Sequence, residues 1–201
     1  MLTKNDPTKN RNTDERQVRS FGMSQFRALD ATGKKQIECY FAVFSDKYEL
    51  WEGYTESIDP NAFDGTINDD IRCLVNHEPA RVLGRTKAGT LQLSIDSYGL
   101  KGIVDINEDD SDAMNLYSRV QRGDVSQCSI GFEILEEVFT QSTPNTGHWL
   151  IKRVKLYEGS VVTFPAYEKT EAHAREARQA EVNRRFKESM KERTSKWHSS
   201  N

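Results

Sequence analysis

Nothing in this 201-residue sequence approaches the roughly 18 consecutive apolar residues of a bilayer-crossing helix, and no apolar stretch follows the first methionine as in an export signal. A water-soluble chain that is not exported by that route, with no membrane partner, is the expectation. Cysteine is scarce. Cys39, Cys73 and Cys128 are an odd number with no CxxC among them, which points to a reducing compartment and away from a structural zinc site. A dominant charge sign is also missing: 28 Lys and Arg stand against 31 Asp and Glu, a formal net charge of -3. Such a balance gives no field that gathers nucleic acid, so no nucleic-acid partner is expected. Paired histidines at metal-ligand spacing are absent too. The nearest approach, "NHEP" at 76–79, lacks the second histidine of HExxH, so neither a metal nor another cofactor is expected.

What is present is distributed unevenly. Hydrophobic residues make up 36% of the chain and charged residues 29%, with a mean hydropathy of -0.75, too polar an average for a packed globule throughout. The ends carry the excess. "MLTKNDPTKNRNTDERQ" contains no apolar run, and the stretch after about Glu168 is almost entirely charged or small. Three regions follow: a polar flexible leader over 1–35, a core domain over 36–167, and a charged helical tail over 168–201. The tail has high helix propensity but only Phe186, Met190 and Trp197 as large apolar residues toward its end, which suits a solvated helix or an interaction arm.

Within the core region the pattern is mainly that of strands. "QIECYFAVFS" and "IRCLVNHEP" read as strands, the latter stopped by Pro79, while "YTESIDPNAF" reads as a strand ending at Asp59-Pro60, with "PNAFDGTI" as a short helix opened by Pro60. "VLGRTKAGTLQLSIDSYGLKGIVDI" carries turn signals at "KAG" and "DSYG" and reads as a meander. "SDAMNLYSRVQRG" has apolar residues at helical spacing, with Gly123 as a stop. "VSQCSIGFEILEEVFT" and "HWLIKRVKLYEGSVVTFPAY" are strands again, joined by the loop "QSTPNTG".

Histidine is the natural general base near neutral pH, and of the four here His173 and His198 fall in the tail. His77 follows an apolar strand, where a strand end projects a polar ring into a cleft; a lone histidine there also serves as an ordinary structural residue. Ser129 lies two residues before Gly131 at a strand entry, where a bend exposes a hydroxyl and directs N–H groups at a developing oxyanion. The pattern is looser than GxSxG, and a plain bend into a strand explains it as well. Cys128 is the other nucleophile on offer, but alternation turns it to the opposite face from Ser129.

Four blocks in order, "GYTESIDPNAFDGTI", "LVNHEPARVLGRTKAGTLQLSIDSYGLKGIVDI", "VQRGDVSQCSIGFEI" and "IKRVKLYEGSVVTFPAY", resemble the prohead maturation proteases of tailed bacteriophages. The resemblance implies a serine endopeptidase packaged in the immature procapsid, in the host cytoplasm, that cleaves scaffold or the scaffold-like segment of the major capsid protein, and itself. It implies an α+β, mainly β fold, a β-barrel core surrounded by a few helices, similar to the herpesvirus assembly protease (assemblin-like). His77 and Ser129 then match the base and nucleophile, and Glu158 in "LYEGSVVTFPAY" matches the acidic third member. The herpesvirus enzymes use a second histidine, which keeps His148 as the alternative. Gly131 and its neighbouring N–H groups are candidates for oxyanion support, with Arg85 and Arg153 as electrostatic helpers. Expected partners are capsid and scaffold protein, with self-association open. Two rivals stand beside this: an inactive scaffold or assembly factor with a protease-like core, and an esterase using the same residues.

Overall fold

The two longest alternating stretches of the sequence form the spine of the molecule. In the computed structural model, which describes residues 15–20, 26–31, 33–44 and 46–164, β10 (Gln127–Thr143) and β11 (Thr146–Val162) make one long antiparallel hairpin. The loop expected at 141–147 contracts to a turn at Pro144 and Asn145, because pairing continues to Thr143 and Thr146. Their free edges carry the rest of a seven-stranded sheet. β1 (Gln17–Arg19) adds antiparallel to β10. The far edge of β11 is shared by two parallel partners, β5 (Tyr54–Ile58) beside 147–151 and β6 (Arg72–Val75) beside 158–161. β4 (Tyr48–Trp51) extends β5, and β7 (Glu78–Arg85) extends β6.

A second sheet of four antiparallel strands runs in the order β2 (Phe26–Ala31), β3 (Lys34–Val43), β9 (Gly99–Asp105), β8 (Leu91–Ile95). The sheets meet through Phe41. Its ring lies against Gly102 of β9 and Gly159 of β11, and a Cβ at Gly159 would come within 2.6 Å of a ring carbon. A glycine near the end of β11 is therefore the space that lets a fully buried aromatic couple the two sheets.

Among the described residues there is one α-helix, α1 (Ser111–Arg122). Its start is set by Asp110, whose carboxylate accepts from the N–H groups of Asp112 and Ala113, a cap worth about 1 kcal/mol. Gly123, at φ 87°, ends it in the left-handed conformation that favours glycine. The buried face is Ala113, Leu116, Tyr117 and Val120, spaced as one side of a helix, and the Tyr117 hydroxyl donates to the Leu29 carbonyl of β2.

Several expectations change. The fold is α+β and mainly β, but no closed barrel forms among the described residues: the strands divide into two sheets. The seven-stranded sheet curls enough for Arg19 of edge strand β1 to lie over the Tyr48 ring of edge strand β4, without a ladder joining them. The short helix expected after Pro60 is a run of turns, begun by Asp59, which accepts from the Asn61 N–H, and pinned by the buried Ala62 and Phe63. Pro79 does not stop a strand. It lies inside β7, whose outer side has no partner strand among the described residues, so the missing N–H costs no ladder bond there. β1 and β2 fall within the stretch 1–35 read from composition as a leader. The tail, with His173 and His198, lies outside the described residues.

Candidate active site

β6 and β7 are joined by a two-residue turn, Asn76-His77, with both residues at positive φ, 52° and 61°. Such a turn matches the twist of the flanking strands, and asparagine tolerates it well. Histidine is less at home there, since a left-handed residue other than Gly, Asn or Asp costs on the order of 1 kcal/mol. What holds it is β11. The Asn76 N–H donates to the Val161 carbonyl, the Asn76 side chain accepts from the Thr163 N–H, and the His77 N–H donates to Ser160 Oγ at 3.2 Å.

So placed, the His77 ring meets Glu158. Nδ1 lies 2.7 Å from Glu158 Oε1, and Ser160 Oγ donates to the other carboxylate oxygen at 2.5 Å. Arg16, just before β1, donates from Nη2 to Glu158 Oε1 at 2.6 Å. Burial pushes the Glu158 carboxyl upward, but the hydrogen bonds from His77 and Ser160, with the charges of the His77 ring and Arg16, outweigh it and hold the carboxyl below its ordinary value of 4.5. The other ring nitrogen, His77 Nε2, is buried and has no hydrogen-bond partner among the described residues. A carboxylate on Nδ1 fixes the ring with Nε2 as the open, proton-accepting nitrogen.

Ser129 lies on the neighbouring strand. It is directly opposite Ser160, as Gly131 is opposite Glu158, so these four share one face of the hairpin. Ser129 is fully buried, and its hydroxyl donates 2.8 Å to the backbone carbonyl of Arg19 rather than to His77. Gly131 matters for what it leaves empty. A Cβ there would collide with Glu158 Oε1 and the Arg16 guanidinium, so the absent side chain is the room in which the carboxylate reaches the histidine.

The remaining sequence candidates lie elsewhere. His148 has both ring nitrogens engaged, Nδ1 with Thr55 Oγ1 at 2.8 Å and Nε2 with Ser57 Oγ at 2.9 Å, which leaves none for His77. Arg85 is held in a two-pronged ion pair with Asp70, at 2.6 and 2.5 Å, and Arg153 faces Glu136 at 3.6 Å on the surface; neither reaches the His77 cluster. Burial pushes the Cys128 thiol well up, with the neighbouring Cys39 adding to it, so it stays protonated and is no rival nucleophile. No group of three or more metal-ligating side chains occurs among the described residues.

Two participants went unnoticed in the sequence: Ser160 and Arg16. Ser160 follows Glu158 by two, the spacing that puts strand neighbours on one face, and could have been found that way. Arg16 stands in a stretch whose polarity reads as solvent-exposed.

No individual curated protein and no solved structure proved similar to the chain. The family described as caudovirus prohead serine protease, in contrast, matches residues 23–185, well over half of the sequence and past Tyr167 into the tail. With His77 anchored to a buried carboxylate and Ser129 one strand away, this chain belongs to the caudovirus prohead serine protease family.

Proposed function

We propose that the chain is a serine endopeptidase of capsid maturation, acting inside the procapsid in the host cytoplasm on scaffold or on the scaffold-like segment of the major capsid protein, and on itself. Residues 36–167 hold the proposed catalytic groups, while β1 and β2 of the preceding stretch complete the two sheets around them. One observation carries the reading: a histidine bonded through Nδ1 to a buried carboxylate, its Nε2 unpartnered, one strand away from a buried serine hydroxyl that contacts a peptide carbonyl.

In this mechanism Ser129 Oγ adds to the scissile carbonyl carbon while its proton passes to His77 Nε2. Glu158 keeps the ring oriented and balances the imidazolium. The tetrahedral intermediate collapses as Nε2 gives its proton to the departing amine, and a water attacks the resulting ester by the same route in reverse. Backbone N–H groups beside Ser129 and Gly131 are the oxyanion donors of choice, because they are fixed before the charge develops. Ser160 is a positioning residue, tying the Glu158 carboxylate to the backbone of His77.

The test is incubation of the purified chain with the major capsid protein, followed by mass. Ser129→Ala should lower the rate by about 10⁴-fold or more with folding intact, as loss of a nucleophile does. Ser160→Ala should remain measurably active. If Ser160→Ala or Ser126→Ala is dead while Ser129→Ala still cleaves, the nucleophile is misassigned; if no variant and no wild-type chain cleaves anything, the protein is a scaffold or assembly factor.

A further inference from the structure

An arginine from a polar leader has no evident reason to be buried, yet Arg19 is 3% exposed. Its guanidinium donates from Nε to Glu56, which is itself fully buried, and lies over the Tyr48 ring with 5.9 Å to the centroid. Removing such a pair from water is costly unless the site is built to receive it. The backbone of the same residue is the group that Ser129 contacts: Ser129 Oγ donates to the Arg19 carbonyl at 2.8 Å. Gln17, Val18 and Arg19 pair antiparallel with Phe132, Gly131 and Ile130, forming a three-residue edge strand on β10. An extended peptide added to a sheet edge, with one side chain in a pocket and its carbonyl at a serine, is the way a protease holds the residues before a scissile bond.

We infer that residues 16–20 occupy the substrate site in the manner of a substrate, that Arg19–Ser20 is the bond this enzyme cuts in its own chain, and that Glu56, with Tyr48, selects a basic residue immediately before the scissile bond. The inference rests on the assignment of Ser129 as nucleophile. The chemistry balances within the groups present and water. Ser129 Oγ bonds to the Arg19 carbonyl carbon and its proton goes to His77 Nε2. The C–N bond to Ser20 breaks and takes that proton as an amine, and water then releases Arg19 as a carboxylate.

Two further observations agree. The family match begins at residue 23, so the segment in the cleft lies outside the body common to the family. Arg16 shares Glu158 Oε1 with His77, and the Ser129 proton is directed to the Arg19 carbonyl oxygen and not to Nε2. The bound segment therefore holds the site at rest until Ser129 turns toward His77, and its departure frees both Glu158 and the β10 edge for a substrate in trans. Glu56 acts on specificity and not on the chemical step.

The experiment uses the full chain, its Ser129→Ala variant, and one peptide carrying Arg, Lys or Met before the scissile bond. Intact mass and N-terminal sequencing should show a new terminus at Ser20 in wild type and none in Ser129→Ala. Arg and Lys peptides should be cut with kcat/KM about a hundredfold above the Met peptide, and Glu56→Gln should erase most of that ratio while still cutting the Met peptide. Because Glu56 is buried, Arg19→Met provides an independent check: it should keep residues 1–19 attached and, with the site still occupied, cut the Arg peptide in trans more slowly than wild type that has shed them. Ser129-dependent cleavage of capsid protein or peptide without preference for a basic residue, and with residues 1–19 retained, overturns this inference and leaves the proposed function standing. Absence of Ser129-dependent cleavage of every substrate overturns both.

Discussion

β11 carries one histidine itself and anchors another, and the two environments are opposites. His148, near the strand's start, has both ring nitrogens bonded to hydroxyls of β5, beside a cluster in which Trp149 packs against Phe139, Trp51 and Tyr54 with centroids 4.5 to 5.8 Å apart. His77 reaches the strand's other end from a turn, has one nitrogen on a buried carboxylate, and keeps the other unpartnered. The first arrangement satisfies every polar atom and stabilises the fold. The second leaves an acceptor buried and open, an unfavourable state in a structural residue and the required one in a base.

Breaking the His77 side should have the largest consequences. Beyond the serine variants, Glu158→Gln should lower kcat by about 10²- to 10⁴-fold with little change in KM, since the ring loses the carboxylate that orients it and balances its charge. The same variant sharpens the electrostatics. Glu158 is held below its ordinary 4.5, so its charged form is favoured by folding; that stability is fully present above pH 4.5 and is lost as pH falls through the depressed native value. In acid unfolding followed by circular dichroism, wild type should therefore lose stability more steeply below pH 4.5 than Glu158→Gln. Equal slopes would mean that the pair does not favour the ionised carboxyl.

Gly131→Ala is the next in size. The added methyl displaces Glu158 or Arg16, and a cost of about 1 to 3 kcal/mol in denaturant unfolding is expected, together with a loss of activity. Normal activity at normal stability would show that the carboxylate does not need that space.

The smallest effect belongs to His148. Burial, aided by Lys47, holds its ring below the ordinary 6.5, so folding favours the neutral form; the stability this gives is present above pH 6.5 and lost as pH falls through the native value. His148→Asn should cost about 1 kcal/mol at pH 8 through its lost hydrogen bonds, flatten the dependence of stability on pH below 6.5, and leave kcat within a few-fold. A large loss of kcat would erase the contrast between the two histidines.

The sequence by itself determined the parts whose cause is local. The α1 helix follows from its spacing, the Asp110 cap and Gly123; the β8–β9 hairpin follows from "DSYG"; and the two long strands follow from alternation. Gly159 stands in an alternating strand for a reason the sequence does not carry, because Phe41 comes from the other sheet. His77, Ser129 and Glu158 were named from motif blocks, while their mutual arrangement, with the serine turned toward a carbonyl instead of the histidine, was not. Tertiary structure alone decided the fate of residues 15–20. Arg16 and Arg19 are polar by composition, and composition assigns polar residues to water. Only the fold brings Glu158 and Glu56, 142 and 37 residues distant in sequence, to where burying a guanidinium is compensated by its charge partner. Periodicity reports how a residue relates to its near neighbours along the chain, and a charge pair across a curled sheet leaves no trace in it.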